Sequence, residues 1–352
     1  MKMNIGKASC RSAFLICLFF IGSAFSQKTI RVGEITSRPG EKRSGFIRVP
    51  AGNDGPAVSI PVTVINGRQA GPVLALTAGV HGYEYPPILA LQRLSLRLNP
   101  EELAGTVILV HIVNVPSFLQ RTTYYNPYDG RNQNRAFPGK IDGSMTQRIA
   151  HRISEEVIDL CDILIDNHCG DSNEDLTTYL YCTEIGRPDV DARTRELAVN
   201  YGFKMIIHQR VNADDPGATW CAHSALFKGK PALTVESGRL GRIDEADILA
   251  IVRGTINTMQ LLDMIPGEPE RMFDPIWVSE TTYIRSEHQG LFYPLVKGGQ
   301  HVEAGEMVGY LTDFFGNVIQ KANAPHSGIV MYVISTPPMS VGEPMVKIGK
   351  FK

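Results

Sequence analysis

The stretch GPVLALTAGVHGYEYPPILALQRLSLRL, residues 71–98, reads as an apolar strand, then a glycine-flanked polar bend, then a helical pattern. Three further apolar runs end in something polar in the same way. AGTVILVHIVN (104–114) ends at Asn114, CDILIDNHCG (161–170) at His168, and KPALTVESG (230–238) at Glu236. Helical patterns lie between these runs, among them SMTQRIAHRISEEVIDL (144–160), for which Ser144 is the expected N-cap. Near-continuous apolar strands alternating with amphipathic helices indicate an α/β layer, a mainly parallel sheet flanked by helices on both faces. Such sheets bind ligands outside the carboxyl ends of their strands. His81, Asn114, His168 and Glu236 all fall at those ends.

On either side of this core the grammar changes. Residues 28–65 read as short strands separated by the turn signals SRPGEKRSG (37–45) and AGNDGPA (51–57). After about residue 270 helical patterns stop, and short β-type runs alternate with glycine turns. A quasi-repeat, VEAGEMV (302–308) against SVGEPMV (340–346), indicates a small all-β module with internal symmetry.

The first 26 residues carry Lys2, Lys7 and Arg11, then AFLICLFFIGSAF (13–25), with small residues before Gln27. A basic start, a short apolar core and a small-residue cleavage site define a secretory signal cut after Ser26. A membrane anchor is the alternative, but the core is shorter than the roughly 18 to 20 residues that span a bilayer. The expected mature protein is exported, periplasmic or secreted, and free of the membrane. The formal net charge of −1 gives no electrostatic case for nucleic acid. Of six cysteines, Cys161, Cys169, Cys182 and Cys221 remain after the signal, in no metal-site or disulfide-framework spacing. Buried thiols are as reasonable an expectation as disulfides, and Cys169, beside His168, is the one closest to the candidate chemistry.

His81 and Glu84 are three residues apart on the bend and can face one point, because residues three apart share a helical face. Imidazole and carboxylate are both good zinc ligands, and a catalytic zinc takes three protein ligands and leaves one position open. His168 is the natural third. A lone His-x-x-Glu is a weak pattern, and most histidines at strand ends are only hydrogen-bonded; convergence on one sheet edge is what raises the metal reading. Glu236 would either pair with an arginine or serve as general base, taking a proton from water and passing it to the leaving nitrogen. The loop YNPYDGRNQNRAFPG (125–139) offers Arg131, Asn134 and Arg135, with Arg121 just before. Arginine forks bind carboxylates bidentately, although loop arginines often simply face water.

GVHGYE (79–84), DGRNQNRAFPG (129–139), DNHCGDSNED (166–175) and TVESG (234–238), in this order, resemble the succinylglutamate desuccinylase/aspartoacylase family, a branch of the zinc carboxypeptidase-like fold. The resemblance implies that His81, Glu84 and His168 hold one zinc per chain and that Glu236 is the catalytic acid/base. It also implies that Asn134 and Arg135 bind a substrate carboxylate, with Arg131 a further candidate. The arginine that steadies the oxyanion would be Arg121, or alternatively Arg131. Tyr83 stands where the family has a small or polar residue, and Gln133 where leucine is common. The C-terminal stretches VKGGQHVEAGEMVGYL (296–311) and ANAPHSGIV (322–330) resemble the biotinyl/lipoyl-like β-fold. The hairpin stretch TDFFGNV (312–318) lacks a carrier lysine, so this module is expected to be a wall or lid of the site.

The expected organisation is a signal peptide (1–26), a zinc hydrolase domain (27–270) and a C-terminal β domain (271–352). The expected activity is zinc-dependent amidohydrolysis: water activated by zinc and a Glu general base would cleave the amide of an N-acyl amino acid or related small carboxylate-bearing substrate. A metallocarboxypeptidase acting on peptides or cell-wall peptides, or a metal-dependent binding protein without turnover, are the alternatives.

Overall fold

The computed structural model describes Met1, residues 27–215, Gly217 and residues 219–351. The expected signal segment therefore lies, but for Met1, outside the described residues. Among them, no helix is long and apolar enough to cross a membrane.

The apolar runs become the centre of one large mixed sheet. Strand Gln69–Thr77 pairs in parallel with Ala104–Val110 on one side and with Ile163–His168 on the other. Ala232–Glu236 continues the parallel order beside Ile163–His168. All six residues of Ile163–His168 are buried, as expected of a strand covered on both faces. Beyond Ala232–Glu236 the sheet turns antiparallel at Tyr179–Glu184 and then runs parallel through Met205–Arg210 and Ile276–Arg285. At the opposite edge, Val58–Asn66 and Glu41–Val49 form an antiparallel margin.

Helices cover both faces because their apolar residues recur with helical period. Helix Tyr85–Arg97 begins with Pro86 and Pro87 in its first turn, where missing N–H groups cost nothing. It buries Ile88, Ala90, Leu91 and Leu94, each large side chain contributing about 1.5–3 kcal/mol. Helix Met145–Ile153 starts at Ser144, the N-cap read from the sequence, whose backbone N–H donates to Gln147 Oε1 at 3.1 Å.

The C-terminal β module is continuous with this sheet. Pro344–Phe351 pairs with Ile276–Arg285, and Gly328–Ile334 pairs with Pro344–Phe351. Gly328–Ile334 also pairs with Glu174–Leu176, just beyond the His168 strand. A second sheet, of Val318–Asn323, Met307–Thr312, Gly290–Pro294 and Pro338–Met339, packs on the module's other side. The sequence repeat is a repeated turn: Glu306 accepts from the Glu303 backbone N–H and Glu343 from that of Ser340, both at 2.9 Å. Cys161, Cys169, Cys182 and Cys221 are free and buried, so for them the thiol expectation holds over the disulfide one.

Candidate active site

The bend after strand Gln69–Thr77 is possible only because of its glycines. Gly79 adopts φ +64, and a Cβ on Gly82 would lie 2.5 Å from the Thr122 carbonyl oxygen. The bend delivers His81 and Glu84 to the mouth of the sheet, where His168 arrives from the end of its own strand. His81 Nδ1 lies 2.8 Å from Glu84 Oε1, and His168 Nδ1 lies 3.0 Å from the same oxygen. One donor atom from each of the three residues lies within 4.8 Å of the others. Two imidazole nitrogens and a carboxylate oxygen converging on one point fit a catalytic zinc.

Outer contacts orient both rings. His168 Nε2 donates to Asp166 Oδ2 at 2.9 Å, and Asp166 Oδ1 in turn accepts from Thr77 Oγ1 at 2.6 Å. His81 Nε2 donates to Asn132 Oδ1 at 3.1 Å. With Nε2 of each ring so engaged, Nδ1 is the nitrogen turned to the centre. Burial would raise the Glu84 pKa, but His168 and His81 outweigh it and hold the carboxyl well below the usual range. Burial would lower His168, but Glu84 and Asp166 outweigh it and hold that ring well above its ordinary value. An incoming metal must displace the proton that this raised pKa keeps on His168, so its affinity rises with pH.

Glu236 is the register partner of His168 in the parallel ladder, which fixes the two side chains at one sheet end. Burial, reinforced by nearby Glu84 and Glu174 and opposed by His168, pushes its carboxyl up to about 8. Such a group exchanges protons near neutrality, as a general acid/base must. Cys169 also lines the cavity, but burial and the surrounding carboxylates push its thiol well above its ordinary value. It is not a thiolate nucleophile.

His81, Glu84, His168 and Glu236 share one cavity of about 700 Å³ with Asn134 and Arg135. Asn134 Oδ1 accepts from the Cys221 backbone N–H at 2.9 Å, tying the loop to helix Cys221–Phe227. The Arg135 guanidinium lies over the Trp220 ring, 5.1 Å from its centroid, and donates to the Asn134 carbonyl at 2.9 Å. Trp220 stacks in turn on His223, the rings 4.8 Å apart and 4° from parallel. His223 therefore backs the wall instead of lining it.

The structure does not bring the other two arginines to the cavity. Arg121 is the exposed, left-handed C-cap of helix Val115–Gln120, with φ 54. Arg131 is exposed in a turn whose backbone is held by Asp129 Oδ1. Arg121 and Arg131, both expected at the site, are thus not among the residues that line the cavity, whereas Arg135 and, from the β module, Arg285 are. Asn114, at the end of the second apolar run, caps a helix, accepting from Ser117 N, and lies outside the lining. Tyr83 packs on Tyr85 and beside Gly241 and does not enter the cavity.

Sequence reasoning missed the aromatic wall. Tyr179 and Tyr181 on one strand and Tyr283 and Tyr332 from the β module all line the cavity. Behind them Lys347, 2% exposed, donates to Tyr181 Oη at 2.8 Å and lies over three tyrosine rings. No local motif marks such a cluster, since the strand of Tyr179 and Tyr181 lies more than 100 residues before Tyr283, Tyr332 and Lys347.

A mixed α/β sheet with a His-Glu-His cluster and a separate, half-buried glutamate at one end is the architecture of the zinc-carboxypeptidase-like amide hydrolases. Residues 70–262 match the model of the succinylglutamate desuccinylase/aspartoacylase catalytic domain. The chain belongs to that family. It is 32% identical over 285 residues to the N-alpha-acetyl-L-2,4-diaminobutyric acid deacetylase of Halomonas elongata, covering 76% of this chain and 79% of that one. A succinylglutamate desuccinylase/aspartoacylase structure from Rhodobacter sphaeroides superposes with a TM-score of 0.78 at 28% identity, covering 88% of this chain and 95% of that one. The product-bound ectoine utilization protein EutE of Ruegeria pomeroyi gives the same TM-score at 24% identity, with the same coverage. The family comprises amide hydrolases acting on carbon–nitrogen bonds other than peptide bonds.

Proposed function

We propose that the protein is an exported, zinc-dependent deacylase that releases the acyl group from an N-acyl amino acid. The observation that carries this reading is the placement of Glu236 directly across the strand ladder from His168, in the cavity that His81 and Glu84 also line. His81, Glu84 and His168 would hold the zinc, which when bound makes water more acidic and polarises the scissile carbonyl. Glu236 takes the proton of the attacking water and then protonates the departing amine. Arg135, with no carboxylate partner among the described residues, receives the substrate carboxylate and orients the acyl group. The relative's action on an N-acetylated diamino acid supports the substrate class. Export rests on the basic and apolar residues of the first 26 positions.

Zinc-loaded protein is expected to carry about one zinc per chain, the number three converging ligands hold, and to release acetate from one or more members of an N-acetyl amino acid panel. Absence of bound zinc together with absence of acyl release overturns the reading. Export predicts a mature protein beginning at Gln27, read by N-terminal sequencing of the exported fraction; retention of the first 26 residues overturns it.

Arg135→Ala should raise KM for carboxylate-bearing substrates by about 10- to 100-fold, the range for losing a charged hydrogen bond. Carboxamide analogues should change far less. An equal loss for both removes Arg135 from carboxylate binding.

A further inference from the structure

We propose that Glu174 receives a cationic group of the substrate, so that the cavity selects N-acyl amino acids carrying a second, unacylated amine. The inference rests on the deacylase reading above and narrows it.

Glu174 opens the short strand Glu174–Leu176, six residues beyond His168, and lines the catalytic cavity. Neutral donors hold both of its oxygens. Tyr124 Oη lies 3.0 Å from Oε1, its single proton shared with Asn173 Oδ1 at 2.8 Å, and the Asp171 backbone N–H donates to Oε2 at 3.1 Å. An ionised carboxylate can accept about four hydrogen bonds, so this one keeps acceptor capacity. Among the described residues no lysine, arginine or histidine forms an ion pair with it. Its neighbour in sequence differs: Asp175 pairs with Arg239 at 3.1 Å. Nearby Asp171 is itself a carboxylate, and Glu236 lines the same cavity.

A carboxylate withdrawn from water without a counter-charge is costly, and an incoming cation relieves that cost. Burial, with the Asp171 carboxylate adding to it and the Asp171 N–H, Tyr124 and His81 opposing it, pushes the Glu174 carboxyl up to about 7. Arg135 presents the complementary case, a guanidinium in the same cavity whose contacts are a backbone carbonyl and the Trp220 face. Glu174 and Arg135, neither of them in an ion pair among the described residues, give this cavity an anion and a cation that match a ligand carrying both charges, beside Arg285, Glu236 and Glu343 on the same lining. An ammonium brings three donors to Glu174, and a carboxylate meets the fork of Arg135.

Glu174 also holds Tyr124, whose ring stands edge-on to His81 at 6.0 Å. A purely structural role through that tyrosine is the competing account, and the test separates the two. The probes are Nα-acetyl-2,4-diaminobutyrate and Nα-acetylnorvaline, which differ by an ammonium in place of a terminal methyl. Wild-type zinc-loaded enzyme is expected to favour the diamino compound by at least about tenfold in kcat/KM, mainly through KM, the scale of a recognised charged group. Glu174→Gln should bring that ratio close to one, whereas Tyr124→Phe, which keeps the carboxylate, should preserve it. A wild-type ratio near one with both compounds hydrolysed overturns the assignment of Glu174 alone. So does a Glu174→Gln variant that loses equally on both. Hydrolysis of neither compound overturns the assignment together with the deacylase reading.

Discussion

Glu236→Gln is expected to keep about one zinc per chain and to lower kcat by about 10²- to 10⁴-fold, the usual contribution of a positioned acid/base. The amide matches the carboxylate in size, so the strand end and the three donor residues have no reason to move. Metal analysis and steady-state kinetics on one preparation check both halves; retention of more than a tenth of wild-type turnover removes Glu236 from the chemistry. The same substitution has a stability signature in metal-free protein. Folding raises the Glu236 pKa from about 4.5 to about 8. Between those values the native state holds a proton that the unfolded state has released. Stability therefore falls as pH rises through that window, and the loss is complete above pH 8. Glu236→Gln lacks this loss. Metal-free variant and wild type should have similar Tm values near pH 4, and the variant should be the more stable near pH 8.5, with several kcal/mol as the upper bound set by such a shift. A variant no more stable at the higher pH contradicts a raised Glu236 pKa in the folded protein.

His168→Ala should abolish zinc retention on desalting and, with it, activity. The substitution deletes one of three donor groups and leaves Glu84 and Asp166 without the imidazole that both contact. Asp166→Asn is the graded companion. It leaves the three donor residues in place and weakens only the contact that orients His168, for which a 10- to 100-fold loss of zinc affinity is typical. The order wild type, Asp166→Asn, His168→Ala in zinc affinity is the expected result, with folding checked by circular dichroism because breaking a buried pair costs about 3–5 kcal/mol. Equal zinc affinity in all three proteins removes His168 from the donor set.

The arrangement also explains why the β module is where it is. Its strand Gly328–Ile334 pairs with Glu174–Leu176, so the module is zipped to the segment that follows His168. Tyr283, Arg285, Tyr332 and Glu343 thereby become part of the cavity wall. The module expected to be a wall or lid does line the cavity, through continuity of the sheet.

Strand identity, the parallel centre of the sheet and the four residues at its carboxyl edge were legible in the sequence because each is encoded locally. A continuous apolar run specifies a strand buried on both faces, and a polar residue at its end has one place to go. Glycines at 79 and 82 mark the bend, and Ser144 with Gln147 marks a helix start. The arginines were not legible in the same way. Arg121, Arg131 and Arg135 lie within fifteen residues of one another, yet a left-handed cap turns Arg121 outward while Trp220, from a distant segment, takes Arg135 onto its face. Glu174 and the tyrosine wall belong to the same category. Whether a loop side chain meets solvent or a cavity depends on what another part of the chain packs against it, and only the tertiary structure decides that.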